Sequence, residues 1–307
     1  MVRLVIDTDP GVDDTHAIMM ALAHPQARVE AITTVNGNVG VEKTTANACK
    51  ILDVLGCDVP VYAGCARALI AQTHSADYVH GTDGLGDSGY PASKRRVSPE
   101  HAVNALVRLA NEAPGELTLV AIGPLTNVAI ATRLDPDLPS KYKRLVVMGG
   151  AIRAQGNTTP TAEFNTYTDP EAAEIVFDAW KDFTLVSWET TLAYTFSAEQ
   201  LDILMAIQSP RAEFFRRITG QTLAFIQKFL GARLLFAADF LAMAAAIEPG
   251  VVTRSERKHL EVELASARNR GQTVVDWNGV LKKEPKAELV LEMDSARLWE
   301  LFQMGLA

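Results

Sequence analysis

Short apolar runs of strand length alternate with longer segments of helical period through most of the chain. Runs rich in Val, Ile and Leu at 4–7, 29–35, 117–122, 144–148 and 183–187 predict strands. Helical patterns fill the gaps, at 13–23, 41–55, 99–113, 125–134 and 170–180. This alternation predicts a mostly parallel sheet with helices on both faces. After Ser197 the pattern turns helical, over 198–206, 211–230 and 234–247. Short strand-like pieces follow at 262–265, 273–276 and 287–291, and a last helix at 295–304. No break in composition marks a linker, and no repeat or low-complexity tract intervenes. The expected architecture is one α/β domain over 1–307, an open sheet flanked by helices.

Composition narrows the possible partners. The chain has 307 residues, is 48% hydrophobic, and carries a net charge of −8 with a pI of about 5.3. An acidic protein of this kind is not expected to bind nucleic acid or an anionic membrane. No run of 18 apolar residues occurs and no signal peptide precedes the first strand, so a soluble, cytoplasmic protein is expected. Cys49, Cys57 and Cys65 lack metal-site spacing and are expected as reduced thiols.

The polar positions carry the chemistry. Asp7, Asp9, Asp13 and Asp14 fall within eight residues, between the first strand and the first helix. Helix capping accounts for one or two of them. It does not account for all four, nor for the Pro10-Gly11 turn that folds the second pair toward the first. A hard divalent cation on oxygen ligands does. Far along the chain, Asp239 is the only charge between Leu234 and Ile247. A helix apolar all round is a buried helix, and a buried carboxylate must be protonated, paired or bound to metal. Arg233 is the candidate for an ordinary ion pair; a cation shared with Asp9 and Asp14 is the alternative.

Ligands in open α/β sheets bind beyond the carboxyl ends of the strands. Asp7 to Asp14 follow the first strand, Asn36 and Asn38 the second, and Gly123 with Asn127 the third. Met148-Gly149-Gly150 and then Asn157, Glu163 and Asn165 follow the fourth. Each cluster alone is weak, since Asn-Gly is usually a turn, but their repeated placement at one edge predicts a site there.

These same residues carry a resemblance. The runs Asp7-Thr-Asp-Pro-Gly-Val-Asp-Asp14, Thr33-Thr-Val-Asn-Gly-Asn38, His80-Gly81, Gly123-Pro-Leu-Thr-Asn127, Met148-Gly-Gly150, Ala162-Glu-Phe-Asn165 and Asp169-Pro-Glu-Ala-Ala173 resemble nucleoside hydrolases of the inosine-uridine-preferring type, nearly end to end. The resemblance implies hydrolysis of the N-glycosidic bond of ribonucleosides, a bound Ca2+, and a homodimer or homotetramer. It implies calcium ligation by Asp9, Asp14, Asp239 and the main-chain carbonyl of Ile122, with Asp9 as general base. It also implies substrate contacts from Asp13, Asn38, Met148, Asn157, Glu163 and Asn165.

The sequence departs from the family at Ala238. Members that accept both purine and pyrimidine nucleosides have His before the buried Asp, and purine-specific members have Trp; alanine neither donates nor stacks. His80, in a Gly-rich loop matching the family's base-facing loop, is the nearest substitute as a catalytic group. Trp188, Phe229 and Phe236 are candidates for stacking, with core packing expected of at least two. Two other functions fit parts of the pattern. One is a non-catalytic or weakly active nucleoside or ribose binder that has lost turnover at Ala238. The other is a magnesium-dependent aspartyl phosphotransferase with Asp7 as nucleophile, which leaves Asp13 and Asp14 unexplained.

Overall fold

The structure is a computed structural model that describes residues 1–307. Ten strands form: β1 Val2–Thr8, β2 Ala27–Thr34, β3 Val61–Ala63, β4 Leu117–Ala121, β5 Arg144–Met148, β6 Phe183–Val186, β7 Val252–Lys258, β8 Leu260–Val262, β9 Thr273–Val275 and β10 Ala287–Met293. The helices are α1 Val12–Ala23, α2 Val41–Leu55, α3 Asp77–His80, α4 Ala102–Glu112, α5 Thr126–Leu134, α6 Leu138–Lys141, α7 Phe164–Thr168, α8 Pro170–Ala179, α9 Trp188–Ala193, α10 Ala198–Ala206, α11 Pro210–Leu230, α12 Ala238–Ile247 and α13 Ser295–Leu306.

Eight strands make one sheet in the order β3-β2-β1-β4-β5-β6-β10-β7, parallel except for β7, which runs antiparallel to β10. β8 and β9 form a small separate antiparallel pair. Alternation along each central strand feeds two cores. Leu4 and Ile6 of β1, with Val120 of β4 and Val146 of β5, face the side covered by α1, α12 and α13. Val5, Leu119 and Leu145 face the side covered by α4, α5 and α8. Burial on both faces is why these strands read as continuous apolar runs. No helix is long and apolar enough to cross a membrane, and all three cysteines are free thiols.

Several expected boundaries move for local reasons. The helix expected over 234–247 begins at Ala238, because Leu235 pairs its backbone with Phe196 through two 3.0 Å hydrogen bonds. The helix expected from 99 begins at Ala102, where the His101 imidazole accepts the Val103 N–H. The strand expected at 262–265 lies at Leu260–Val262; the Glu263 carboxylate turns the chain by accepting the Ala265 and Ser266 N–H groups. β7 was not expected from the pattern. It reads Val-Thr-Arg-Ser-Glu-Arg-Lys, the charged sequence of an edge strand. Fully buried α12 matches expectation, and Asp239 sits in its first turn.

Candidate active site

The strand order reverses between β1 and β4, and a crevice at the carboxyl ends of the strands is the usual outcome of such a switch point. A cavity of about 430 Å³ lies there, within the range of small-molecule sites. Asp9 leaves the end of β1 and Ile122 follows β4; both line it. Two loops must approach the Asp9 carboxylate closely. A Cβ on Gly37 would lie 2.0 Å from Asp9 Oδ2, and one on Gly123 2.6 Å from Asp9 Oδ1. No side chain fits at either place while Asp9 stays put.

The carboxylates converge as a cation site requires. Oxygens of Asp13, Asp14 and Asp239 lie within 4.8 Å of one another. Asp9, Asp13, Glu163 and Asp239 line the cavity, and no Lys or Arg does. Arg233 is paired instead with exposed Asp202, and no protein donor reaches the Asp239 carboxylate. One oxygen of Asp13 is likewise buried without a partner. Burial first, and then Asp13, Asp14, Asp9 and Glu163, push the Asp239 carboxyl well above its ordinary range. Burial and then the charge of Asp14 do the same to Asp9. Burial lifts Asp13 and Asp14 to about 6. Such a group needs protons or a cation, and an all-oxygen donor set suits a hard divalent ion. The residues therefore fit the metal that the sequence implied, with Asp13 rather than Asp9 in the tightest grouping.

Hydrogen bonds hold the acids in place. Asp14 is wholly buried; its Oδ1 accepts from the Thr8 hydroxyl and the Asp9 N–H, and its Oδ2 from the Gly11 N–H and Asn38 Nδ2. Asn38 ties the two acidic positions together, its own N–H donating to Asp9 Oδ2 at 2.7 Å. Glu163 caps α7 and accepts N–H groups of Asn165, Thr166 and Gly150, while burial raises its carboxyl to about 7. Asn165 donates through Nδ2 to the carbonyls of Ile122 and Met148, at 3.0 and 3.3 Å. Asn38, Met148, Asn157, Glu163 and Asn165 all line the cavity; Asn157 is exposed at its rim, where its Oδ1 accepts the Phe164 N–H.

His80 is buried at the cavity wall. Its Nδ1 accepts the Val12 N–H at 3.2 Å, which puts the imidazole hydrogen on Nε2. Burial pushes its pKa down to about 4, so at neutral pH it is a hydrogen-bond donor without positive charge. Trp188, Phe229 and Phe236 all line the cavity; Trp188 also packs against the core, as expected, whereas Phe229 and Phe236 do not. Trp188 meets Phe236 at 5.1 Å, and Phe229, 68% exposed, extends an aromatic rim from Phe225.

Other polar groups of these runs serve the scaffold. Asp7 lies off the cavity, where it accepts from the Thr33 hydroxyl and Asn127 Nδ2, a placement that gives a nucleophilic Asp7 no access to substrate. Asn127 in turn holds the Thr34 carbonyl and the Cys65 N–H. Asp169 ties Leu69, Thr126 and Ala172 together. Two residues escaped sequence reasoning. Glu189, just beyond β6, accepts the N–H groups of Ile152, Arg153 and Gln155 and so anchors the loop that carries Asn157. Its signal was the one that marked the other clusters, a polar residue past a strand end. His16 lies in the cavity wall, hidden in the sequence by the apolar run that follows it.

A strand order reversing over a crevice lined by several carboxylates and no Lys or Arg defines an acidic ligand site of an open α/β sheet, suited to a hard cation. Comparison with known proteins makes that class specific. The family model described as inosine-uridine preferring nucleoside hydrolase matches residues 4–300. The chain is 34% identical over 304 residues to the inosine-uridine preferring nucleoside hydrolase of Crithidia fasciculata, covering 97% of this chain and 95% of that one. It is 33% identical over 301 residues to the pyrimidine-specific ribonucleoside hydrolase RihB of Escherichia coli O157:H7, covering 98% and 96%. Among solved structures, the plant nucleoside hydrolase PpNRh1 superposes with a TM-score of 0.93 at 32% identity, covering 99% and 98%. The purine-preferring ribonucleoside hydrolase from Gardnerella vaginalis gives 0.91 at 28% identity over the same shares. The chain belongs to the nucleoside hydrolase family, whose members are N-glycosyl hydrolases.

Proposed function

We propose that the protein hydrolyses ribonucleosides to ribose and free base with calcium held by Asp9, Asp14, Asp239 and the Ile122 carbonyl, and with Asp13 beside them. The observation that carries this is Asp239: a buried carboxylate with no protein donor, packed against two more. Bound there, calcium supplies a fixed double charge that orients oxygen ligands and makes a neighbouring water more acidic.

The chain's own residues supply the rest. Asp9 Oδ2 is held by the Asn38 N–H, while Oδ1 makes no hydrogen bond and is the atom assigned to take the proton of the attacking water. Breaking the C1′–N bond builds positive charge on the sugar, as in other glycoside cleavages, and Asp13 and Glu163 face that charge from the cavity wall. Asn38, Asn157 and Asn165 supply amide groups for the sugar hydroxyls, with Met148 beneath the ring. His80 Nε2–H donates a hydrogen bond to the departing base, which takes its proton from solvent. Without Lys or Arg the cavity offers nothing to a phosphate, which favours nucleosides over nucleotides. Relatives of similar closeness carry names that differ in base preference, so the base is the open variable.

The test is free ribose released from a panel of ribonucleosides and 2′-deoxynucleosides by protein stripped of metal and resupplied with calcium. Ribonucleosides are expected to be cleaved only with the metal. Their 2′-deoxy counterparts should be slower by about 10²-fold or more, because buried polar groups are left unpaired. Equal turnover of inosine and deoxyinosine, or ribose release indifferent to calcium, would overturn the assignment.

A further inference from the structure

His16 breaks the rule that buried polar groups find partners. It is 3% exposed, and neither ring nitrogen has a hydrogen bond within the protein. Its ring lies against Phe215 and Phe302, with centroids 4.6 and 5.4 Å away, so those sides offer no donor or acceptor. In such aromatic surroundings a leucine or phenylalanine would pack without leaving two polar atoms idle. Departures from local packing logic concentrate where function needs them.

The position of His16 says what it faces. It follows Asp13 by three residues on α1, so the two side chains share a helix face, and both line the cavity. Asp13 meets Asp239 within the acidic cluster, and Ala238, the neighbour of Asp239, lines the same cavity. Ala238 ends at its methyl group. An imidazole approaching from α1 therefore meets no competing side chain from position 238.

We infer that His16 is a specificity-determining residue for the nucleobase, hydrogen-bonding its edge from α1 where position 238 can offer nothing. This rests on the nucleoside hydrolase reading and adds the base-side contact that reading lacks. A neutral imidazole carries one donor and one acceptor. The ligands it suits are bases presenting a carbonyl oxygen or ring nitrogen to α1, directly or through one water.

The experiment compares kcat/KM on inosine, uridine and p-nitrophenyl riboside in the full-length, calcium-loaded protein. The nitrophenyl group has neither a ring nitrogen nor a ring carbonyl. His16→Phe keeps an aromatic ring and removes both nitrogens; His16→Gln keeps a donor and an acceptor. The ratio of nucleoside to nitrophenyl riboside kcat/KM should fall about tenfold or more in His16→Phe, the size of one lost hydrogen bond. His16→Gln should recover part of it. The Tm of His16→Phe should not fall, whereas a purely structural histidine would leave the ratio unmoved and lower Tm. Should His16→Phe not fold, His16→Met gives the same reading. An unmoved ratio with ribose release intact overturns this inference alone. Absence of ribose release from all three substrates in the unmodified protein overturns the hydrolase reading with it.

Discussion

Asp239 stands at the positive end of α12, yet a helix terminus offers a carboxylate only about 0.3–1 kcal/mol. That is small against burial among four other acids, so the cluster's charge state governs stability as well as chemistry. Folded-state carboxyls raised to about 6 at Asp13 and Asp14, and to about 7 at Asp7 and Glu163, lie above the about 4 of an unfolded chain. Metal-free folded protein thus holds protons the unfolded chain has lost. Their stabilising contribution is full below pH about 4 and disappears as pH rises through 6 to 7. Thermal melts of the metal-free protein should show Tm falling from pH 5 to 7.5, with calcium removing most of that slope; a flat metal-free profile would contradict the electrostatics. Uncharged His80 can hydrogen-bond the departing base but not protonate it, so with no proton donor at Ala238 hydrolysis of inosine and uridine should be weak beside good cleavage of p-nitrophenyl riboside. Losing a general acid costs about 10²–10⁴-fold only when the leaving group needs it. Ala238→His should raise nucleoside turnover more than nitrophenyl riboside turnover. Inosine cleaved as fast as the activated riboside by the unmodified protein, with a ratio that His80→Ala does not alter, would remove any kinetic meaning from that position.

At the scale of elements, the loops after β2 and β4 are shaped around one side chain. Gly123→Ala puts a methyl 2.6 Å from Asp9 Oδ1, closer than the two can sit. Since displacement by about 1 Å can cost about 10²-fold, kcat should fall by at least that much while circular dichroism shows the fold retained. An active Gly123→Ala would show that Asp9 need not sit there. Glu189→Ala frees the loop that carries Asn157, and is expected to raise KM several-fold and to speed proteolysis within 151–161; unchanged values of both would make the anchor irrelevant. The central strands and long helices were legible because apolar periodicity is dense there. β3, three residues between Pro60 and Gly64, was too short to carry a pattern, and β7 carries the polar face of an edge. The start of α12 was hidden because Leu235 departs from the helix to pair with Phe196, a tertiary contact no local pattern records.

At the scale of the molecule, two cores clamp a mostly parallel sheet, and the reversal of strand order places the ends of β1, β2, β4, β5 and β6 around one cavity. Alternation of elements foretold the sheet, and polar clusters past successive strands foretold the edge at which the cavity lies. Strand order was not legible; the lone charge at Asp239 already pointed to a cation shared with Asp9 and Asp14, but no local pattern showed that Asp13, 226 positions before it, would join the group. The roles of His16 and Glu189 escaped because each depends on which neighbours the fold supplies. The central claim is that this convergence of carboxylates binds calcium, and isothermal titration of the ion into metal-free protein tests it most directly. One calcium per chain is expected for the unmodified protein and none for Asp239→Asn. Equal binding by both proteins, or by neither, would contradict it.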